Sequence, residues 1–298
     1  MKIPSILSCL VAAALVAANA HAQEYNTTDI EAFSFDSLET PVLHAAAVEE
    51  ETPETAEAPA SFSWKLKTGS TRTISGVKKD PADSVASSHG GGSITISTDG
   101  IVTMKGSPRY YLTAPNADFL NVEMISYGRL KSKKKFKDLA GMTMVTRSNH
   151  GDFGNDPCQA MGYYSRIYFN TGEFAFQKEF FHENQKRTIY TASRRQKLFD
   201  GGFPVNKWVG MKFVLQTNPD GKSVSLKGYV DMTGGKDGGD WKLAFETTDN
   251  GGWKAMSTVP SKCGYKADEV VLRAGKNSYF RTDDVDTFEW KNLSVRTI

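Results

Sequence analysis

From about residue 61 onward, apolar and polar residues alternate with a period of two far more often than they repeat every three or four. Alternation of that kind turns successive side chains to opposite faces of a β-strand. It predicts strands over Ser93–Ser97, Ile101–Lys105, Val122–Tyr127, Met142–Arg147, Gly162–Phe169 and Phe174–His182. Further strands are expected over Trp208–Thr217, Ser223–Asp231, Trp241–Thr247, Glu269–Ala274 and Thr287–Ile298. Turn chemistry separates them at Thr98-Asp99-Gly100, Asn170-Thr171-Gly172, Asn218-Pro219-Asp220-Gly221 and the Gly234–Gly239 cluster. Many short strands joined by glycine-rich turns predict an all-β, two-sheet antiparallel sandwich or jelly roll.

The pattern differs before residue 61. Lys2, an apolar run from Ile6 to about Ala18, and Ala20-His21-Ala22 read as a signal peptide over residues 1–22. The run is short of the about 20 apolar residues that a spanning helix needs, and no later stretch reaches that length, so no membrane partner is expected. Residues 23–60 are rich in Ala, Glu, Thr and Pro, a composition that cannot bury enough apolar surface to offset chain entropy. They are expected to be a disordered acidic linker or pro-segment, leaving residues 61–298 as the β-sandwich domain of a secreted protein.

Charge changes this picture. Of 36 basic and 34 acidic residues, the 23–60 segment holds ten Asp or Glu and no Lys or Arg, and Lys2 is in the signal, so residues 61–298 hold 35 basic and 24 acidic groups. The near-neutral total conceals a domain of about +11. Such a field raises the local concentration of polyanions, although a generally solvated basic surface is the competing explanation. Export and the lack of a recognisable nucleic-acid module argue against nucleic acid. Cys158 and Cys263 remain after the signal is removed and could pair in an oxidising compartment, but sequence does not show whether their Cα atoms come within reach. Sequons stand at Asn26 and Asn292.

The densest chemistry lies in residues 141–190. Alternation places Arg147 and Asn149 on one face of a strand that ends at His150 beside a glycine-rich loop. On the strand from Glu173, it places Phe174, Phe176, Lys178, Phe180 and His182 on one face, and Ala175, Gln177, Glu179 and Phe181 on the other. A regular strand therefore cannot aim both Lys178 and Glu179 into one groove, and a lysine among phenylalanines must snorkel, work or pair with a carboxylate from the facing sheet. Tyr163, Tyr164 and Tyr168 lie on the neighbouring strand, Tyr190 closes the stretch, and Tyr279 and Arg281 come near the end. Basic groups also cluster at Lys131, Lys133, Lys134, Lys135 and Lys137, and at Lys186, Arg187, Arg194, Arg195 and Lys197.

Taken in order, TRSNHG, YYSRIYF, FAFQKEFFH, KWVGMKFVLQTNPDGKSVSLKGYVD, TTDNGGW and YFRTDDVDTFEWKNLSVRTI resemble the concanavalin A-like jelly-roll polysaccharide lyases. The likeness is greatest to the glucuronan lyases and more distant to the alginate lyases. Where alginate lyases carry Gln-x-His, this chain has Gln177-Lys178-Glu179-Phe180-Phe181-His182. The resemblance implies a concanavalin A-like jelly roll that cleaves a uronate polymer by β-elimination without an organic cofactor.

That reaction needs a cation or donor to neutralise the carboxylate beside C5, a base for the C5 proton and an acid for the leaving oxygen. Arg147 is the expected neutraliser, His150 or His182 the assisting group or base, and Tyr279 or Tyr190 the proton donor. Lys178, Asn149, Arg166, Arg281 and Tyr164 are the expected substrate-binding residues. The expected partner is an acidic polysaccharide and the expected assembly a monomer. No catalytic metal is expected, but Asp237–Asp240 and Thr282–Asp286 could hold structural Ca²⁺ through carboxylate and carbonyl oxygens. The Gly-x-Ser-x-Gly elbow, phosphate-binding glycine loop and His-Glu-x-x-His helix are all missing from the sequence. The competing reading is a non-catalytic, lectin-like binding domain.

Overall fold

The computed structural model describes residues 61–116, 118–150, 156–183 and 187–298. The expected signal peptide and acidic linker lie outside the described residues, as does Lys186. The chain forms β1 (Ser61–Ser63), β2 (Arg72–Ser75), β3 (Lys78–Asp80), β4 (Asp83–Ile96), β5 (Val102–Thr113), β6 (Val122–Leu130), β7 (Gly141–Ser148) and β8 (Gly162–Tyr168). It continues through β9 (Glu173–Glu183), β10 (Arg187–Tyr190), β11 (Arg194–Lys197), β12 (Val209–Thr217), β13 (Val224–Asp231), β14 (Lys242–Asp249), β15 (Asn277–Arg281) and β16 (Val285–Thr297).

Hydrogen-bonded neighbours follow the order β10-β9-β8-β7-β15-β5-β16-β6-β12-β13-β14, with β4 also on β5. This path folds over on itself, so that β9 in one layer meets β14 in the other, giving the antiparallel sandwich that alternation predicts. β5 joins the layers: its residues 109–113 pair with β15 and its residues 102–106 with β16. The two long strands β4 and β5 bend together where Gly92 (φ 122°) faces Gly106 (φ 83°). A β-carbon at Gly92 would run into the Lys105 carbonyl, so the bend requires glycine there.

Between the layers lies the main core, with Phe174, Phe176, Phe213, Phe280, Phe288 and Trp290 among its fully buried rings. Each such side chain contributes about 1.5–3 kcal/mol by leaving water. Cys158 and Cys263 are bonded with their Cα atoms 5.3 Å apart across 105 residues, which answers the question that parity left open. A loop of that length would lose about 4.7 kcal/mol of unfolded-state entropy on closure. Two sequence expectations change. Glu269–Ala274 is not a strand, because its backbone serves other groups, and β5 runs on to Thr113 through the Gly106-Ser107-Pro108 stretch that reads as a break.

Alternation has a second consequence. In β7, β8 and β15 every residue is buried, on the outward face as well as the core face. Tyr111, Val145, Tyr164 and Tyr279 form a separate cluster on that outward face, with Tyr190 against it. An antiparallel layer with only one apolar side would show polar, solvated residues there. This layer shows buried polar ones.

Candidate functional site

Strand register builds the outward face as parallel rows. One row runs His89 (β4), Arg109 (β5), Arg281 (β15), Thr143 (β7), Arg166 (β8), Ala175 (β9) and Arg195 (β11), each opposite the next. Two residues along each strand, the next row reads Tyr111, Tyr279, Val145, Tyr164 and Gln177. A third brings Asn277 opposite Ser148, and Glu179 between Gly162 and Tyr190. Neighbouring strands stand about 4.7–4.9 Å apart, so Arg109, Arg281 and Arg166 are spread along a line crossing four strands.

Two β-bulges decide which side chains join these rows. Tyr190 pairs with Glu179 and Ile189 with Phe181, leaving Phe180 as an extra residue on β9. The extra residue reverses the alternation beyond it, so His182 shares the face of Glu179 rather than that of Lys178. The Phe180 carbonyl at the bulge accepts the Tyr265 hydroxyl. On β7, Thr146 and Arg147 together oppose the single Ser278, and Arg147 takes φ 52°. That turn sends Arg147 inward, where its guanidinium donates to the Leu120 and Val271 carbonyls, to Thr217 Oγ1 at 2.8 Å and to Asn121 Oδ1 at 3.2 Å.

The remaining polar groups form a connected chain. The Tyr111 hydroxyl is 2.6 Å from His150 Nδ1, and His150 Nε2 is 2.9 Å from His182 Nδ1. His182 Nδ1 is 2.8 Å from Glu179 Oε1, while Tyr164 donates its hydroxyl to Glu179 Oε2. The Tyr164 and Tyr279 hydroxyls are 2.8 Å apart. Ring contacts close the group: Tyr111 stacks on Tyr279 at 4.2 Å, and Tyr190 meets Tyr164 edge-on at 5.7 Å. Glu179 is fully buried, whereas the His182 side chain keeps 14% of its surface exposed and so marks the open side of the cluster.

Beside it, several guanidinium nitrogens lack partners among the described residues. Arg166 is 2% exposed; its Nε donates to Thr143 Oγ1 at 3.0 Å, but neither Nη finds a hydrogen-bond partner. Arg281 binds Asp283 through Nη2 at 2.7 Å and Nε at 3.1 Å, leaving its Nη1 unpaired, and Arg109 Nε and Gln177 Oε1 are unpaired too. Each buried unsatisfied group costs about 1–3 kcal/mol, more when charged, which a ligand of opposite polarity would offset.

Burial sets the electrostatics. It pushes the His150 imidazole down to about 3, so the ring is neutral at physiological pH. Burial opposes ionisation of Glu179, but the imidazoles of His150 and His182 and the Tyr164 hydroxyl hold its carboxyl below the ordinary value. Burial, reinforced by the Glu179 carboxylate, raises Tyr164 and Tyr279 well above the usual phenol range, and Tyr190 also rises. Arg281 remains charged because Asp283 outweighs its desolvation.

The structure thus gathers His150, His182, Tyr279, Tyr190, Tyr164, Arg166 and Arg281, and leaves three expected site residues elsewhere. Arg147 is consumed inside the fold, with burial lowering it to about 10. Lys178 reaches Asp249 at 2.7 Å and the Glu269 carbonyl at 2.6 Å, with both charged side chains wholly buried. It is the pair with the facing sheet that a lysine among phenylalanines demands. Asn149 lies at the rim, where its Oδ1 accepts the Lys276 amide at 2.8 Å. Sequence reasoning missed Tyr111 and Arg109, whose signal was the alternation of Arg-Tyr-Tyr-Leu-Thr past Pro108, and it left Glu179 off the histidine face. In the acidic loops Asp283 pairs with Arg281, Asp284 and Asp286 with Lys134, and Asp240 with Lys242.

No family model matches the sequence, and no curated protein matches it. Among solved structures, the fold is similar to the exoplasmic/lumenal domain of VIP36 in its Ca²⁺/Man-bound form, at 11% identity and TM-score 0.41, over 75% of this chain and 88% of that one. It is also similar to the Lotus tetragonolobus seed lectin, at 8% identity and TM-score 0.37, over 76% of this chain and 96% of that one. The winged bean acidic lectin complexed with methyl-α-D-galactose matches at 9% identity and TM-score 0.38, over 80% of this chain and 98% of that one.

Proposed function

We propose that this chain is an exported polysaccharide lyase that binds an acidic, uronate-containing polysaccharide across the arginine and tyrosine rows and cleaves it by β-elimination, acting as a monomer. One observation carries the reading: the guanidinium groups of Arg166 and Arg281, which keep nitrogens without a partner among the described residues, each have Cζ 5.8 Å from the centre of the Tyr164 ring, whose hydroxyl meets that of Tyr279. Carboxylate-seeking cations and proton carriers therefore share one patch of sheet.

In this reading Arg166 and Arg281 take the neutralising role first expected of Arg147, binding the carboxylate beside C5 and making its proton more acidic. Tyr164, once it has given up its proton to solvent at high pH, accepts the C5 proton. Tyr279, kept protonated by its burial, donates to the leaving oxygen. His150 and His182 assist by holding Glu179 against Tyr164, and Tyr190 edges the cluster. Because burial raises the phenols, the rate should climb as pH rises into the alkaline range.

Incubation with glucuronan, alginate and related polyuronates, followed by the absorbance of new unsaturated chain ends, tests the proposal. Product from at least one polymer is expected. Binding without product at any pH would favour a second reading, a lectin-like domain. That alternative is supported by the hydroxyls of Tyr111, Tyr164 and Tyr279, each of which already has a protein partner.

A further inference from the structure

Three lone-pair atoms meet at one point of the face. His150 Nε2, His182 Nδ1 and Glu179 Oε1 lie within 4.8 Å of one another, with separations of 2.9 Å between the nitrogens, 2.8 Å from His182 to the carboxylate and 3.7 Å from His150 to it. Proton counting makes this meeting awkward as a set of hydrogen bonds. Nδ1 of His182 faces both the carboxylate oxygen and the other ring's nitrogen, and a ring nitrogen carries at most one proton. Serving Glu179 with that proton leaves His150 Nε2 to share it.

We propose that His150, His182 and Glu179 form a binding site for a divalent transition-metal ion, with zinc the best chemical match. Two neutral imidazoles and one carboxylate are a zinc ligand set that leaves a fourth position open. Bonds of about 2.0–2.1 Å at tetrahedral angles place ligand atoms about 3.3 Å apart, and the three observed separations bracket that value. The outer contacts also fit. With Nε2 on the metal, His150 carries its proton on Nδ1, where the Tyr111 oxygen stands 2.6 Å away, and Glu179 Oε2 receives the Tyr164 hydroxyl. Such contacts fix the tautomer and orientation of metal ligands. The bulge at Phe180 is what lets Glu179 and His182, three residues apart, point to one spot. The His182 side chain, 14% exposed, gives the site an edge on solvent through which an ion can enter. Metal binding does not depend on whether this face is catalytic.

The full chain, stripped with a chelator and dialysed, should be titrated with zinc, with bound metal counted by mass spectrometry and thermal stability followed in parallel. One equivalent per chain and a rise in Tm are expected. Cobalt should give visible d–d absorption of a nitrogen- and oxygen-ligated ion. H182A should lose the bound equivalent and the cobalt band while still unfolding cooperatively, at a metal-free Tm lowered by the loss of its contact with buried Glu179. Y111F should weaken zinc about 10- to 100-fold, as loss of an outer contact does. Failure of the parent chain to bind zinc, cobalt or nickel overturns the site, as does undiminished binding in both H182A and H150A. A chain that binds none of these metals yet cleaves polyuronates would overturn only the metal site; a chain that binds zinc and cleaves none would overturn only the lyase reading.

Discussion

Lys178 and Glu179 are consecutive residues of β9, both fully buried, and they look into two different kinds of polar interior. Lys178 enters a closed network: Asp249 neutralises it, Tyr163 donates to Asp249 at 2.6 Å, and the Glu269 carbonyl accepts a further hydrogen bond from the ammonium. Glu179 enters an open one, where imidazoles and phenols converge and the neighbouring Arg166 and Arg281 retain unpaired nitrogens. Buried charge alone does not distinguish a site from a structural pair. Completeness of the partners does, because a closed network has nothing to offer a ligand, whereas an open one holds an unmet desolvation cost.

The largest effect is expected where the closed network is broken. Lys178→Met strands Asp249 and should cost about 3–5 kcal/mol by denaturant unfolding, with polyuronate binding by the folded fraction unchanged. A loss of binding without loss of stability would erase the distinction between the two sides. On the open side, Tyr279→Phe should lower kcat by about 10²–10⁴-fold with little change in KM, the signature of a lost proton transfer. Equal activity in the variant would remove Tyr279 from the proposed chemistry.

Arg166→Ala sharpens the contrast further. It should weaken oligouronate binding about 10- to 100-fold by calorimetry, in line with about 1.5–3 kcal/mol for a charged hydrogen bond, yet leave Tm level or higher because two unsatisfied nitrogens go with it. The smallest effect concerns Asp231, another closed case. Burial opposes its ionisation, but the backbone amides of Thr233, Asp240 and Gly235 hold its carboxyl down to about 2. Its folded value lies below the unfolded one, so its contribution is present above about pH 4 and is lost as pH falls toward 2. Tm against pH should show that acid limb shrinking in Asp231→Asn; an unchanged limb would assign it to other carboxylates.

Much of this contrast was legible in the chain. Alternation along Glu173–His182 already separated Lys178 from Glu179 and offered a carboxylate from the facing sheet as one of three answers to a lysine among phenylalanines. What alternation could not supply was the interruption of its own period. Arg147 belongs to one bulge and His182 lies just beyond another, and one extra residue in a ladder exchanges the two faces of everything beyond it. Tyr111 was hidden differently, since Gly106 and Pro108 look like a strand end but mark a bend through which β5 passes from one layer to the other.

By itself, then, the sequence determined the all-β sandwich, the positive charge of residues 61–298 and the residue types of the site, because period-two patterning and composition are local properties read along the chain. Only the tertiary structure decided which of those residues meet. The pairing of Cys158 with Cys263, the inward turn of Arg147 and the meeting of His150 with His182 and Glu179 depend on register between strands distant in sequence. A shift of one residue there costs no change in composition and reverses every side chain that follows.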